Sequence, residues 1–417
     1  IVHWNSPRFH SYLPAGNCFP AICADMLSGV FCNIGFSWSA CPASTDLEMV
    51  MLDWLGKMLQ LPQDFLFSSN GTGGGVIQSS ASESTLMALL SAREKTISCI
   101  QTMKKDWSRG MITDKLVYYA STEAHCSVEK AGLLSGLTCR LLPTDAAFSL
   151  QGDILQAAID EDRTLGFIPF FVVGTLGTTN SCAFDNVDKL GEVCKKENLW
   201  FHIDAAYAGA AFICPEFRYL LNGVEYADSF LLCPAKWLLT NHDCCAMWIK
   251  DRENALKPFS ITPAYLKEDV EEQTLNYRNW GITFGRKFRS LKMWFVFRMF
   301  GVRGLQTYIR KHVSLAHEFE NLVKNDHRFE VLLPVVLGVV CFRLKGSEAQ
   351  NEEMLSVINK RGKITLKSSR IRSRDLYVIR FVVCGKDTES EDILFSWREI
   401  CLAANKILNS KNEDDRR

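Results

Sequence analysis

Leu199-Trp200-Phe201-His202-Ile203-Asp204 is a short apolar run that ends on a carboxylate, followed by the small residues Ala205-Ala206-Tyr207-Ala208-Gly209. Its aromatic and β-branched content predicts a buried strand with Asp204 at the carboxyl end. Runs of the same kind at 116–120, 167–173 and 229–233 predict further strands, and the stretches 123–135, 152–162 and 187–197 predict helices between them. This alternation predicts an α/β fold with a mainly parallel sheet covered on both faces. Ligands of such sheets gather outside the carboxyl ends of the strands. Asp204, the loop 174–179 and Lys236 all fall at such ends.

Lys236 stands in Ser229-Phe230-Leu231-Leu232-Cys233-Pro234-Ala235-Lys236-Trp237, among apolar side chains. A lysine out of water is a usable nucleophile. With an aspartate at a strand end it makes the pair a pyridoxal phosphate (PLP) enzyme needs: a lysine to bind the cofactor as a Schiff base, and a carboxylate to keep the pyridine nitrogen protonated. Each residue alone has a plainer explanation, Asp204 as a cap and Lys236 as a snorkelling side chain.

Other segments divide in the same way. Gly71-Thr72-Gly73-Gly74-Gly75 reads as a flexible loop, since no Gly-Lys-Ser/Thr completes a phosphate loop. Ser80-Ala81-Ser82 opens a helix that runs to about Lys95, either capping it or offering first-turn N–H groups to an anion. His125 lies just past a strand end, where it suits either a cap or a ring over a planar cofactor. No second His/Cys pair has a zinc spacing, so no metal is expected. Gly174-Thr175-Leu176-Gly177-Thr178-Thr179 leads from strand to loop, and Tyr265 and Arg278 flank a polar stretch that reads as a lid or a plain surface loop.

Across 417 residues, Lys+Arg and Asp+Glu both number 47, so the net charge of zero argues against a nucleic-acid binder. The 16 cysteines include no CxxC pair and mostly sit in apolar runs, which predicts free thiols in a reducing compartment such as the cytoplasm. No apolar run reaches the roughly 18 residues of a membrane span, so no membrane partner is expected. Residues 1–20 read as an extended arm, 21–312 as a large domain and 313–417 as a small α+β domain. Within these, 21–62 read as helical, 286–312 as one long helix and 314–325 as another. Strands are predicted at 329–333, 338–344 and 376–383, and a last helix from Glu391. The chain opens on Ile1, so an N-terminal segment is expected to precede it.

Ile203 to Gly209, Cys233-Pro234-Ala235-Lys236-Trp237, and Gly74-Gly75-Val76-Ile77-Gln78 with Ser80-Ala81-Ser82-Glu83 resemble the group II PLP-dependent decarboxylases. The likeness is strongest to the animal branch of that family acting on aromatic L-amino acids. Ile34-Gly35-Phe36-Ser37-Trp38 and the stretches 208–216 and 288–300 extend it from His3 to about Ile400. The resemblance implies an aspartate-aminotransferase-type fold (fold type I) with a seven-stranded sheet, and a homodimer with sites at the interface. It implies decarboxylation of L-dopa or 5-hydroxytryptophan to monoamines and CO₂.

Carried over by this resemblance, Lys236 binds PLP, Asp204 pairs with the pyridine nitrogen, His125 stacks on the ring and Ala206 meets its other face. Ser80, Ala81 and Ser82 match phosphate-side positions, and Thr179 and Ser229 match positions beside the cofactor. Trp4, Tyr12 and Leu13 match the substrate wall, Ile34 and Phe36 match residues supplied by a partner subunit, and Tyr265 matches the loop tyrosine that protonates the α-carbon. Gly285 matches a glycine of the aromatic enzymes where histidine and tyrosine decarboxylases usually have serine. His125 and Tyr265 count against the oxidative aldehyde synthases of the family. Cys233, Ala235, His242 and Leu13 depart from the family's asparagine, histidine and phenylalanines, and the 265–278 stretch is two residues shorter. Losing polar groups beside the phosphate predicts weaker PLP binding and leaves room for a weakly active paralogue that serves as a binding partner.

Overall fold

The structure, a computed structural model, describes residues 3–261 and 275–414, with side chains described up to 409. Its large sheet contains β1 (Gly74–Gln78), β2 (Leu116–Ser121), β3 (Thr138–Leu142), β4 (Ile168–Thr175), β5 (Trp200–Asp204), β6 (Ser229–Leu232) and β7 (Cys245–Ile249). The order is β1-β7-β6-β5-β4-β2-β3, and only β7 runs against its neighbours. This is the mainly parallel seven-stranded sheet that the resemblance implies. Alternation along β5 explains how the sheet is covered. Phe201 and Ile203 join one apolar cluster with Leu155, Ile159 and Leu190 of the helices Gly152–Thr164 and Val187–Glu197. Trp200 joins the other cluster, with Leu89 and Val128 of the helices Ala81–Met103 and Cys126–Ser135.

β1, β3 and β7 escape the sequence patterns. β1 begins inside the glycine run, where glycine serves close packing and not flexibility: a Cβ on Gly75 would lie 2.7 Å from the Met247 carbonyl oxygen. β3 is an edge strand with a partly exposed polar start. The helical reading of 21–62 breaks into two helices, Phe19–Val30 and Pro42–Leu59. Each has Pro in its first turn, where the missing N–H costs nothing.

A buried ion pair ties β1 to this region. Arg286 contacts both Glu48 oxygens, at 2.6 and 3.1 Å, and donates to the Ile77 carbonyl at 3.0 Å, while Glu48 accepts the Ile77 N–H at 2.7 Å.

The helix Ser290–Lys324 runs across the expected boundary at 312 and breaks instead at Gly301, whose φ is 62°. It leads to β8 (Phe329–Val331), β9 (Val339–Leu344), β10 (Lys367–Ile371) and β11 (Leu376–Val382), an antiparallel sheet ordered β10-β11-β9-β8. The helices Glu348–Arg361 and Ser390–Asp414 pack on this unit.

The N-terminal arm joins the two sheets. His10 N–H bonds Thr365 O at 2.9 Å, and the His10 ring contacts Val382 O at 2.9 Å and Ser396 Oγ at 3.1 Å. Farther on, Gly16 N–H donates to Ala235 O at 2.6 Å. The arm thus leaves the small sheet and ends beside Lys236.

Burial lowers the pKa of His10, and those of His202 and His312, to about 4. Between about pH 4 and the unfolded value near 6.5 the unfolded chain holds more protons, so stability rises with pH and is lost as pH falls. Each imidazole contributes on the order of 3 kcal/mol by pH 4. Asp185, which burial pushes up to about 7, works in the opposite sense. The urea midpoint is therefore expected to drop between pH 7 and pH 4.5, and less steeply in His10→Gln. Equal slopes for the two proteins would refute the assignment to His10.

Candidate active site

β4, β5 and β6 end side by side, with Thr175 opposite Asp204 and Asp204 opposite Leu231. A cavity of about 300 Å³ opens at these ends, lined by Thr175, Asp204 and Lys236 among others. Asp204 is only 4% exposed and accepts the Ala206 N–H at 3.0 Å, which fixes its carboxylate at the strand end. Lys236 follows β6 in the short helix Pro234–Trp237 and is partly buried.

The Ala81–Met103 helix begins at the cavity. Ser80 caps it, accepting the Glu83 N–H at 3.2 Å, and Ser79, Ser80, Ala81 and Ser82 all face the space. The hydroxyl of Ser80 therefore acts as a cap, and the first-turn N–H groups are what this helix offers to an anion. His125 caps the next helix: its Nδ1 accepts the Ser127 N–H at 3.2 Å and lies 2.8 Å from Ser127 Oγ. Partial burial lowers the imidazole's pKa, and Lys236 and Arg372 add to this against the pull of Asp204. The ring facing the cavity is thus neutral near pH 7.

The Thr179 loop is pinned from the small sheet, because Arg380 donates to Thr179 O and, at 3.2 Å, to Ser11 O. Gly177 in this loop has a φ of +80°, and a Cβ there would sit 2.7 Å from Ala208 Cβ. The arm supplies Trp4 and Leu13 to the cavity wall.

The cavity suits PLP. It joins a lysine, a buried carboxylate, a helix N-terminus for a phosphate and a neutral imidazole. Thr175 adds a buried Oγ1 that has no hydrogen-bond partner among the described residues. Among the same residues no cluster could hold a metal ion.

Lys236, Asp204, His125, Ser80, Ala81, Ser82, Thr179, Ala206, Trp4 and Leu13 are brought together on this cavity. Five sequence candidates are not. Tyr12 stacks on Trp4 at 4.9 Å and is exposed. Ser229 lies at the opposite end of β6, level with His202, where it accepts from Trp200 Nε1 at 2.8 Å and meets His202 Nδ1 at 2.7 Å; it is a core hydroxyl and not a cavity residue. Ile34 is 57% exposed, Phe36 packs on Phe284 at 5.1 Å, and Gly285 adjoins Ile34, so this group lies on an outer surface of the chain. Tyr265 lies outside the described residues. Thr175, Ser79 and Cys244 line the cavity although sequence reasoning did not select them. The Gly174–Thr179 hydroxyl run held a signal for the first; the other two carried none. The departures Cys233, Ala235, His242 and Leu13 all face the cavity.

Fold and cavity together define a PLP-dependent enzyme of fold type I. The family described as the pyridoxal-dependent decarboxylase conserved domain matches residues 1–345, and the chain belongs to that family. It is 53% identical to the aromatic-L-amino-acid decarboxylase of Mus musculus over 415 residues, covering 99% of this chain and 86% of that protein. Among solved structures, the Oryza sativa TDC with PLP and tryptamine superposes with a TM-score of 0.93 at 34% identity, covering 98% of this chain and 85% of that one. The Rhodiola rosea 4-hydroxyphenylacetaldehyde synthase superposes with a TM-score of 0.89 at 35% identity, with the same coverage of 98% and 85%.

Proposed function

We propose that the chain is a PLP-dependent carboxy-lyase that converts aromatic L-amino acids, with L-dopa and 5-hydroxytryptophan foremost, to monoamines and CO₂. The observation that carries this reading is the convergence of Lys236, Asp204 and His125 on one cavity, in a chain 53% identical to the mouse aromatic-L-amino-acid decarboxylase. Bound PLP supplies an electron sink for the pair released when the Cα–carboxylate bond breaks.

The protein's share is holding and orienting. Lys236 Nζ anchors the cofactor, and the Asp204 carboxylate holds a proton on the ring nitrogen. The first-turn N–H groups of Ala81 and Ser82, with the Thr175 hydroxyl, bind the phosphate end. His125 and Ala206 offer their side chains to the ring. Trp4 and Leu13 exclude water and orient the substrate's aromatic side chain, and Tyr265 delivers the proton to the α-carbon.

The active unit is a homodimer. The exposed apolar side chains of Phe19, Met26, Val30, Phe31 and Ile34, continued by Ile282, support a second copy docking on this face. Ile34, Phe36 and Gly285 would then complete the partner's site. Free cysteines throughout support a cytoplasmic location. Among the described residues no helix is long and apolar enough to cross a membrane.

The test combines light-scattering mass with product analysis. Purified protein, saturated with PLP, is given L-dopa, 5-hydroxytryptophan, L-histidine and L-tyrosine in turn. Dopamine or serotonin with stoichiometric CO₂ is expected, from a dimer. Aldehyde with hydrogen peroxide would assign an oxidative synthase instead. A second reading, a weakly active paralogue, is favoured by the four departures on the cavity wall; failure to retain PLP on Lys236 after borohydride reduction would select it.

A further inference from the structure

A cysteine directly follows β6 at the cavity, and another opens β7 beside it. Leu232 faces Ala246 across this antiparallel pair, so the next step outward sets Cys233 opposite Cys245. Opposed residues of an antiparallel ladder share a face, with Cα atoms about 4.5–5.5 Å apart. A disulfide spans about 4.4–6.8 Å.

The two thiols are close enough to influence each other's titration. Cys245 Sγ also lies 3.4 Å from Leu232 O and accepts from Ser84 Oγ at 3.5 Å. Their access differs: Cys233 lines the cavity, whereas Cys245 is fully buried behind it.

Their acidity differs in the same sense. The neighbouring Cys245 lowers the Cys233 pKa against burial, with help from the Lys236 charge and against the Asp204 charge. Burial pushes the Cys245 thiol well up. A cavity-lining thiol beside a second thiol buried behind it is the arrangement of an attacking and a resolving cysteine.

We propose that Cys233 and Cys245 form a reversible redox-modification site at the cofactor seat, oxidised by hydroperoxides while the phosphate end of that seat is empty. Cys233 Sγ attacks one peroxide oxygen, the O–O bond breaks, and the other oxygen leaves with a proton as water or alcohol. Cys233 is then a sulfenic acid. Cys245 Sγ displaces its hydroxyl, which departs as water with the Cys245 proton, and the S–S bond forms. Two electrons pass from two thiols to one hydroperoxide. A dithiol restores the pair by exchange. Cys233 lines the same cavity as Ala81 and Ser82, so a phosphate seated at those two residues shields the Cys233 sulfur; this part rests on the phosphate seat proposed above.

The experiment compares full-length protein stripped of PLP with protein loaded with PLP and reduced with borohydride, the label on Lys236 being counted by mass. Both are treated with hydrogen peroxide, blocked with N-ethylmaleimide and mapped as non-reduced peptides. A Cys233–Cys245 linked peptide is expected in the stripped protein, forming about tenfold more slowly in the loaded one and lost with dithiothreitol. In Cys245→Ser, dimedone is expected to label Cys233. No linked peptide, a Cys233–Cys244 link, or oxidation confined to the exposed Cys23, Cys32, Cys99 and Cys126 would overturn the proposal. Equal rates in fully labelled and stripped protein would overturn the shielding alone, while an unlabelled Lys236 would instead overturn the cofactor seat.

Discussion

Lys236→Ala is expected to lose covalent retention of PLP altogether and to lower decarboxylation by about 10³-fold or more. The effect follows from position. Lys236 is the amine that follows β6 on the cavity, and no hydrogen bond or ion pair with the described residues engages it structurally. Its removal takes away the anchor and leaves the fold: the urea midpoint should correspond to within about 0.5 kcal/mol of the parent. Stability and activity are thereby separated, since a merely structural lysine would show the reverse pattern. Turnover of L-dopa at the parent's rate would end the proposed chemistry. Asp204→Asn should keep PLP on Lys236 and still lose turnover, because it removes the charge that holds the ring proton and spares the anchor.

Arg286→Leu is expected to destabilise the protein by about 3–5 kcal/mol, the usual cost of leaving a buried charge without its partner. Glu48 would keep only the Ile77 N–H, while β1 would lose the Arg286 contact to the Ile77 carbonyl. Glu48→Leu should cost a similar amount. The double variant is expected to recover much of the loss, because two apolar side chains remove the uncompensated charge. Urea unfolding of the four proteins reads this directly. An Arg286→Leu protein within about 0.5 kcal/mol of the parent would show that the pair carries no such weight. The pair also touches function, since β1 leads into Ser79 and Ser80 at the cavity, and PLP affinity should fall with stability.

The alternation of strands and helices from 116 to 236 was legible because each element is short and its apolar pattern is local. Val187–Glu197 follows its predicted span, and Asp204 ends its strand as expected. β1 was not legible, because its glycines are required by Phe67, Met247 and Trp248, residues that no local window contains. Likewise Gly301, and not the change of pattern near 313, breaks the long helix, since the apolar stripe through Ile309, Val313 and Ala316 continues unbroken.

At the site, residue type and strand-end position pointed to Asp204, Lys236 and His125 in advance. Ser229 has the right chemistry at the wrong end of β6, a distinction that the pairing of His202 with Ser229 makes and composition does not.

The sequence by itself determined the α/β class, the strand ends where a ligand gathers and the lysine–aspartate pair, because propensity and periodicity act over a few neighbouring residues. Only the tertiary structure decided that the arm crosses by way of Thr365 and Val382 to bring Trp4 and Leu13 to Lys236. It alone set Cys233 against Cys245 and left the Thr175 hydroxyl without a partner among the described residues. Strand register and chain crossings make these contacts. They are settled by burying two sheets against shared helices, which depends on residues far apart in the chain.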